Sequence, residues 1–326
     1  MSHLSEENAQ SLYNEFGELK VLDDIIQHRA ADDPPAPILA YPRTESSVDD
    51  FEYFTGKDLD RLIDGAVKRI IALGLEPNGR KTVGVLAASN LDFIVSFFAL
   101  SRLGYTVLAL SLRIAPTAVA NLLKQTDCVH VLHGGTHQIL STAQAVQEIL
   151  PVTSLPIPVR SDYDRPLSSE PRFAREYDRD AENSRIAVIM HSSGSTGLPK
   201  AVMLSHRAIL THPTQGSGLH NFNALPWYHL YGVSTSLQAM WMRKTAHLYN
   251  AALPMTSESL VEILETVKPD AVHTVPYVLG LMAEKRRGVE LLKRCKVVTG
   301  AGARTPDELG DRLVREGVNL GIVFGT

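Results

Sequence analysis

The stretch Ile186-Ala187-Val188-Ile189-Met190-His191-Ser192-Ser193-Gly194-Ser195-Thr196-Gly197-Leu198-Pro199-Lys200-Ala201-Val202-Met203-Leu204-Ser205-His206 joins two short apolar runs through a loop of small hydroxylated residues, glycines and one lysine. Each run has the length and β-branched content of a buried strand, so the polar loop emerges where strands end, the edge at which α/β folds bind ligands. Glycine lets backbone N–H groups turn inward and approach an anion closely. Ser192, Ser193, Ser195 and Thr196 add hydroxyl groups, and Lys200 adds a mobile positive charge. With Gly194 and Gly197 these residues form a phosphate cradle. It is not the G-x-x-x-x-G-K-[ST] loop, because Gly194 and Gly197 are three apart and Leu198-Pro199 separates Gly197 from Lys200. The competing reading is a Ser/Gly turn in a β-hairpin that binds nothing.

The string Ser192-Ser193-Gly194-Ser195-Thr196-Gly197-Leu198-Pro199-Lys200, with a strand before it and Ser205-His206 after it, resembles the phosphate loop of the acyl-adenylate-forming superfamily. That superfamily includes acyl-CoA synthetases, luciferases, and the adenylation domains of non-ribosomal peptide synthetases and carboxylate reductases. Ala201 stands where the family usually has glycine, a difference of one methyl group.

The 326 residues are 44% hydrophobic and 21% charged, enough for two packed lobes and too apolar for disorder. A formal charge of -4 provides no polycationic field for nucleic acid or an anionic membrane. Cys128 and Cys295 lie inside apolar runs and read as buried thiols of a reducing compartment, which points to the cytosol. The start, with Glu6, Glu7 and Asn8, lacks the basic and apolar regions of a signal peptide, and no apolar run is long enough to span a bilayer.

Along the chain, residues 1–50 carry a Pro34/Pro35/Pro37 cluster and read as an extended leading segment with one short helix near Val21 to Arg29. Thr55 is placed to cap a helix from Asp58 to Leu73 that Gly74 ends. From Thr82 strands and helices alternate: strands Thr82 to Ala87, Tyr105 to Leu110 and Cys128 to Leu132, with helices Leu91 to Leu103, Thr117 to Gln125 and Gln138 to Leu150. Pro151 to Asp180, rich in proline and charge, reads as a surface connection between lobes. The second lobe, 181–326, continues with helix His206 to Thr211, strand Asn221 to Leu225, helix Tyr231 to Met242, strand Ala246 to Tyr249, helix Ser257 to Val267, strand Ala271 to Val275 and helix Val278 to Arg287. Strand Lys296 to Thr299, a helix Pro306 to Glu316 capped by Thr305, and strand Leu320 to Phe324 complete it. The alternation predicts an α/β fold of two doubly wound lobes, 51–180 and 181–326, each a mostly parallel sheet with flanking helices.

Pro226-Trp227-Tyr228-His229-Leu230-Tyr231-Gly232 follows a strand and precedes a helix, so His229 belongs to another strand end. Alone, a histidine among aromatics reads as a packed core residue. The segment resembles the family's Pro-x-x-His-x-x-Gly motif, which implies that His229 lies at the carboxylate of an acyl substrate, with Trp227, Tyr228, Leu230, Tyr231 and the segment from His273 to Pro276 as pocket walls. Amino-acid-activating relatives place an aspartate at the position of Leu230 to pair with the substrate ammonium. Leucine cannot, and an unpaired buried ammonium is costly, so the resemblance implies an acid that is not an α-amino acid.

Thr299-Gly300-Ala301-Gly302-Ala303 ends a strand with residues small enough for a flat ring or acyl chain to lie against backbone. A strand-to-helix turn that needs glycine explains the same residues. The segment resembles the family's Gly-Gly-Ala-Pro-Leu element, with Arg304-Thr305 in place of Pro-Leu, and Phe324-Gly325-Thr326 resembles the start of Tyr-Gly-x-Thr-Glu, with Phe324 for the ring that stacks on adenine. These matches imply that Gly300, Ala301, Gly302, Ala303, Phe324, Gly325 and Thr326 line an adenine and acyl pocket. The resemblance spans about Phe51 to Thr326, the N-terminal core of an adenylating unit. The threonine and Mg²⁺-binding glutamate expected next, and the small C-terminal subdomain with its catalytic lysine, lie beyond the last residue. His130, His133 and His137 have suggestive spacing but no thiol or carboxylate beside them, so no metal site is predicted from them.

The resemblance implies that the parent protein uses ATP and Mg²⁺ to convert a small carboxylic acid to an acyl-adenylate, with Lys200 and His229 as catalytic residues, and passes the acyl group to a thiol. The expected acceptor is the phosphopantetheine of a carrier domain, with free coenzyme A as the alternative. A different expectation is a truncated, non-catalytic nucleotide- or acyl-binding module, since orientation and charge stabilisation both rest on groups outside residues 1–326.

Overall fold

The computed structural model describes residues 14–77, 79–165, 171–192, 197–215 and 218–324. Its strands are β1 (Pro37–Pro42), β2 (Phe51–Thr55), β3 (Thr82–Leu86), β4 (Thr106–Ala109), β5 (His130–His133), β6 (Thr153–Pro156), β7 (Ile186–His191), β8 (Ala201–Ser205), β9 (Asn221–Asn223), β10 (Ala246–Leu248), β11 (Ala271–Thr274), β12 (Val297–Gly300) and β13 (Leu320–Ile322). They form a six-stranded sheet, β6-β5-β3-β4-β7-β8, and a seven-stranded sheet, β13-β12-β11-β9-β10-β1-β2. All neighbours are parallel except the hairpins β1–β2 and β7–β8. The α/β architecture expected from the alternating pattern is present.

Strand periodicity explains how the sheets stack. Val83, Val85, Val107, Ala109, Val188 and Met190 point from the first sheet into a core shared with helices Gly56–Ala72, Leu91–Leu103 and Leu230–Trp241 and with Ile38, Leu39, Ala246 and Leu248 of the second sheet. Leu86, Leu108, Leu110 and Ile189 point the other way, onto helices Pro116–Gln125 and His137–Ile149. On the second sheet Phe222, Val272 and Val298 face the outer helices Ser257–Val267, Pro276–Ala283, Arg286–Leu292 and Asp307–Arg315. The order is helix, sheet, helix, sheet, helix. Strands buried on both faces need unbroken apolar runs, which is why these segments lack polar alternation.

Local signals behave as their chemistry requires. Thr55 caps helix Gly56–Ala72 through a reciprocal box with Asp58, Thr55 N–H donating to Oδ2 at 2.9 Å and Asp58 N–H to Oγ1 at 3.2 Å. Asn90 caps helix Leu91–Leu103 by accepting from Phe93 N–H at 3.1 Å, and Gly104 ends it with φ 90°.

Five expectations are corrected. The leading segment is not merely extended: β1 and β2 pair with each other, and β1 joins the second sheet beside β10. The boundary at residue 181 does not separate the sheets, because β7 and β8 add to the first one, beside β4. The 151–180 connection contributes β6 to that sheet and the buried Tyr163 to the shared core. The helix expected from Val278 to Arg287 breaks into Pro276–Ala283 and Arg286–Leu292, whose crossing is so close that a Cβ on Gly288 would sit 2.2 Å from the Met282 carbonyl oxygen. Thr305 does not cap the helix Asp307–Arg315: Pro306 holds the N-cap position, and the buried Thr305 hydroxyl has no partner among the described residues.

His206, 4% exposed, ties the N-terminal segment to the hairpin: its Nδ1 accepts from Leu22 N–H at 3.0 Å. Burial pushes it down to about 4, against the pull of Glu182. A histidine with a depressed folded value is neutral in both states above its unfolded value, so its cost appears only as pH falls below about 6.5 and is complete near 4. That shift corresponds to about 3 kcal/mol. His206→Asn keeps an acceptor for Leu22 without the titration, and its stability is expected to fall less between pH 6.5 and 4 than that of the parent. Parallel pH–stability curves for the two proteins would refute this.

Candidate active site

The parallel strands of each sheet end at one edge, and the candidate site is built from the segments leaving those edges. In the first sheet β7 ends at His191. Its Nε2 accepts from Ser111 N–H at 3.1 Å, so the segment after β4 is clasped to the end of β7. The Ser192–Lys200 loop leaves here. Ser192 N–H donates to the Lys200 carbonyl at 3.0 Å, and Lys200 N–H donates to Ser192 Oγ at 3.1 Å, closing the base of the loop. Gln125 braces the return strand, donating to the Pro199 carbonyl at 3.4 Å and accepting from Ala201 N–H at 3.3 Å.

The loop therefore connects an antiparallel hairpin, β7–β8, rather than two buried strands, and β8 is a half-buried edge strand. The hairpin and the phosphate-cradle readings were not exclusive. Ser192, Gly197 and Lys200 are exposed. Ser193, Gly194, Ser195 and Thr196 lie outside the described residues, as do Gly325 and Thr326. Lys200 and Arg113 are both exposed, and neither has an acidic partner among the described residues.

In the second sheet the chain leaves β9 through Ala224-Leu225-Pro226. Buried Asn223 fixes the exit: its amide donates to the Gly232 carbonyl, Thr235 Oγ1 and Ser236 Oγ at 2.8, 2.9 and 2.9 Å, and its carbonyl accepts from Leu225 N–H at 2.9 Å. Trp227 N–H donates to Ser89 Oγ at 2.7 Å, which fastens this segment to the exit of β3 in the other sheet. Gly232 is required, since a Cβ there would lie 2.4 Å from the Pro226 carbonyl oxygen.

His229 occupies the N-cap of helix Leu230–Trp241 and is exposed, with the Tyr228 ring edge-on to its own at 4.9 Å. Partial desolvation, with the charges of His191 and Arg113 adding to it, pushes His229 down to about 4. It is neutral at pH 7, so it offers a hydrogen bond rather than a charge. His229, His191 and Arg113 thus bring the two sheet edges together, with Lys200 at the base of the loop that begins beside His191.

The register aligns Asn223, His273, Thr299 and Gly321 across β9, β11, β12 and β13. Tyr231 reaches this row from the helix, its hydroxyl donating to Thr299 Oγ1 at 2.5 Å. Gly300 and Ala301 are buried at the end of β12, Gly302 (φ 82°) and Ala303 are exposed, and the Phe324 ring is 94% exposed. Pro276 is buried at the start of its helix and Leu230 is 38% exposed. Trp227 is a correction: it is fully buried and packs against Phe97 and Phe98 at 5.5 and 6.0 Å, so it belongs to the shared core and not to a pocket wall.

His191, Ser89, Ser111, Arg113, Gln125 and Asn223 were missed as site or bracing residues. The signal for them was position, because most of them stand at or just after the end of a predicted parallel strand. A cavity of about 560 Å³ elsewhere contains none of the sequence-predicted site residues. Its arginines are paired with acids, Arg102 with Asp23 at 2.8 Å, Arg179 with Asp24 at 2.9 Å, Arg175 with Glu182 at 2.5 Å and Arg172 with Asp60.

A loop with an uncompensated lysine, beside a neutral histidine where two sheet edges meet, is the arrangement of an anion-binding α/β protein. The chain belongs to the AMP-binding enzyme family, which matches residues 26–326. It is 28% identical over 257 residues to an adenylate-forming reductase of Aspergillus terreus, covering 73% of this chain and 24% of that protein. It is 29% identical over 203 residues to 4-coumarate–CoA ligase 1 of Oryza sativa subsp. japonica, covering 56% of this chain and 35% of the ligase. Its fold is similar to the N-terminal domain of FACL13 from Mycobacterium tuberculosis, with a TM-score of 0.76 at 18% identity, covering 94% of this chain and 76% of that one. The chain spans only 24% of the length of the reductase. Among the described residues no helix is long and apolar enough to cross a membrane.

Proposed function

We propose that the protein of which this chain is the adenylating core activates a carboxylic acid as its acyl-adenylate and transfers it to the phosphopantetheine thiol of a carrier domain. The carrying observation is charge: Lys200 at the closed base of the loop, and Arg113 two residues after the Ser111 that is bonded to His191, stand exposed without acidic partners among the described residues, which suits a polyphosphate anion. Bound ATP supplies the adenylyl group, with pyrophosphate as leaving group. Lys200 and the loop N–H and hydroxyl groups offset charge that accumulates on the departing phosphates, an effect that is large where donors are preorganised. Neutral His229 donates a hydrogen bond to the attacking carboxylate without trapping it as an ion pair. Among the described residues no group of three or more His, Cys, Asp or Glu side chains is placed to hold a metal ion, and Mg²⁺ would be carried mainly by the nucleotide phosphates.

Leu230 leaves no counter-charge for a substrate ammonium at the start of the helix, which favours an acid other than an α-amino acid. The likeness to a reductase supports carrier-bound transfer, and the likeness to a CoA ligase supports free coenzyme A as the second reading. Pyrophosphate exchange by the full-length protein over a panel of carboxylic acids is expected with non-amino acids and absent with α-amino acids. The opposite preference would overturn the substrate reading. Acyl transfer to a carrier domain but not to coenzyme A separates the two acceptors.

A further inference from the structure

We propose that His191 is a positioning residue for the nucleotide: its two ring nitrogens bracket the base of the phosphate loop to the exit of β4, and so hold Arg113 as a second cation, with Lys200, for the triphosphate. This rests on the activation reading above.

The tautomer of His191 follows from its partners. A backbone N–H can only donate, so Nε2, 3.1 Å from the Ser111 nitrogen, is the ring nitrogen without a proton. The proton of the neutral ring is therefore on Nδ1, which donates to the Ser192 carbonyl at 3.3 Å. Burial holds His191 below the usual histidine range, so the neutral ring is the form present at pH 7. Each nitrogen has one task, and together they tie two segments that lie 80 residues apart in the chain.

Both ends of this bracket lead to a cation. On one side Ser192 is bonded through its N–H and Oγ to the Lys200 backbone at 3.0 and 3.1 Å. On the other, Ser111 is buried, and its hydroxyl accepts from Arg113 N–H at 3.2 Å, a local turn that leaves Arg113 itself exposed. Among the described residues, segment 111–114 makes no hydrogen bond besides these two, so His191 is its anchor at the site. The charge of Arg113 lowers the proton affinity of both His229 and Tyr228, which puts the guanidinium on the side where the two sheet edges meet. Losing the bracket frees Arg113 without deleting it, and a misplacement of about 1 Å is enough to cost on the order of 10²-fold in rate.

The test is a double-mutant cycle in the full-length protein, read as kcat/KM for ATP in pyrophosphate exchange with an acid that the parent activates. Arg113→Met and His191→Phe are each expected to lower kcat/KM for ATP by roughly tenfold or more, with the KM for the acid little changed. Because His191 acts through Arg113, the double variant is expected to be little worse than Arg113→Met alone. His191→Gln, whose side-chain carbonyl replaces Nε2 as the acceptor for Ser111 N–H, is expected to keep most of the parent rate. Losses that multiply in the double variant, or a His191→Gln variant as damaged as His191→Phe, overturn the proposal and leave His191 a packing role. Should His191→Phe not fold, the exposed change Arg113→Met carries the test, and unchanged kcat/KM for ATP overturns the proposal with activation left standing. Exchange by the parent with no acid at all overturns the activation reading itself.

Discussion

Replacing Lys200 by methionine is expected to lower pyrophosphate exchange by roughly 10²–10³-fold, the usual cost of losing one preorganised charge stabiliser of a transition state. The reason is local. Lys200 holds Ser192 only through its backbone N–H and carbonyl, at 3.1 and 3.0 Å, so its exposed side chain is free to serve a ligand. Its removal therefore leaves the hairpin intact, and stability should stay within about 0.5 kcal/mol of the parent, as for other exposed substitutions. Exchange rates and denaturant midpoints measured side by side separate the two effects. Unchanged exchange would remove Lys200 from the reaction, whereas a large loss of stability would make its role structural.

Gly232→Ala is expected to damage stability and activity together. A methyl group would meet the Pro226 carbonyl oxygen at 2.4 Å and the Leu225 carbonyl oxygen at 3.0 Å, and backbone cannot swing aside as a flexible side chain can. Relief requires the Pro226–His229 segment to move off the helix, breaking the Asn223 contacts and displacing His229 from Arg113 and His191. Overpacking of this kind costs roughly 1–3 kcal/mol or more, and misplacement of a positioning group costs on the order of 10²-fold in rate. Gly280→Ala is the control, since nothing lies within 4 Å of its added Cβ in helix Pro276–Ala283. That change should be neutral or stabilising by up to about 1 kcal/mol. Equal stability of the two variants would show that the close approach at Gly232 relaxes without cost.

Helices set between apolar strands by the alternating pattern were legible: Leu91–Leu103, His206–Thr211 and Ser257–Val267 are found at their expected bounds. Their start and stop signals are local. The placement of β1 was not legible, because its partner Ala246 lies far along the chain and the proline cluster before it suggests extension without naming a neighbour. The same limit hid the assignment of β7 and β8 to the first sheet, which rests on the long-range pairing Val107↔Val188.

The chemical positions divide in the same way. Lys200 and His229 belong to contiguous strings whose residue types carry their own explanation. Arg113, Ser89 and Ser111 become interpretable only when strand order brings the ends of β3, β4 and β7 together in one sheet, with Ser89 bonded to the segment that leaves β9. Trp227 misled because an aromatic next to a site histidine suits a pocket wall and a core equally well. Its backbone, held by Ser89, sits at the site while its ring fills the core between Phe97 and Phe98.

The most direct measurement is a crystal structure of the full-length protein with a non-hydrolysable ATP analogue. The prediction is that the triphosphate lies within hydrogen-bonding distance of the Ser192–Lys200 segment, with Lys200 on its distal phosphates and the base near Gly302 and Phe324. A nucleotide bound elsewhere, for instance in the cavity beside Arg102 and Arg172, with the Ser192–Lys200 segment turned away from it, would contradict the account.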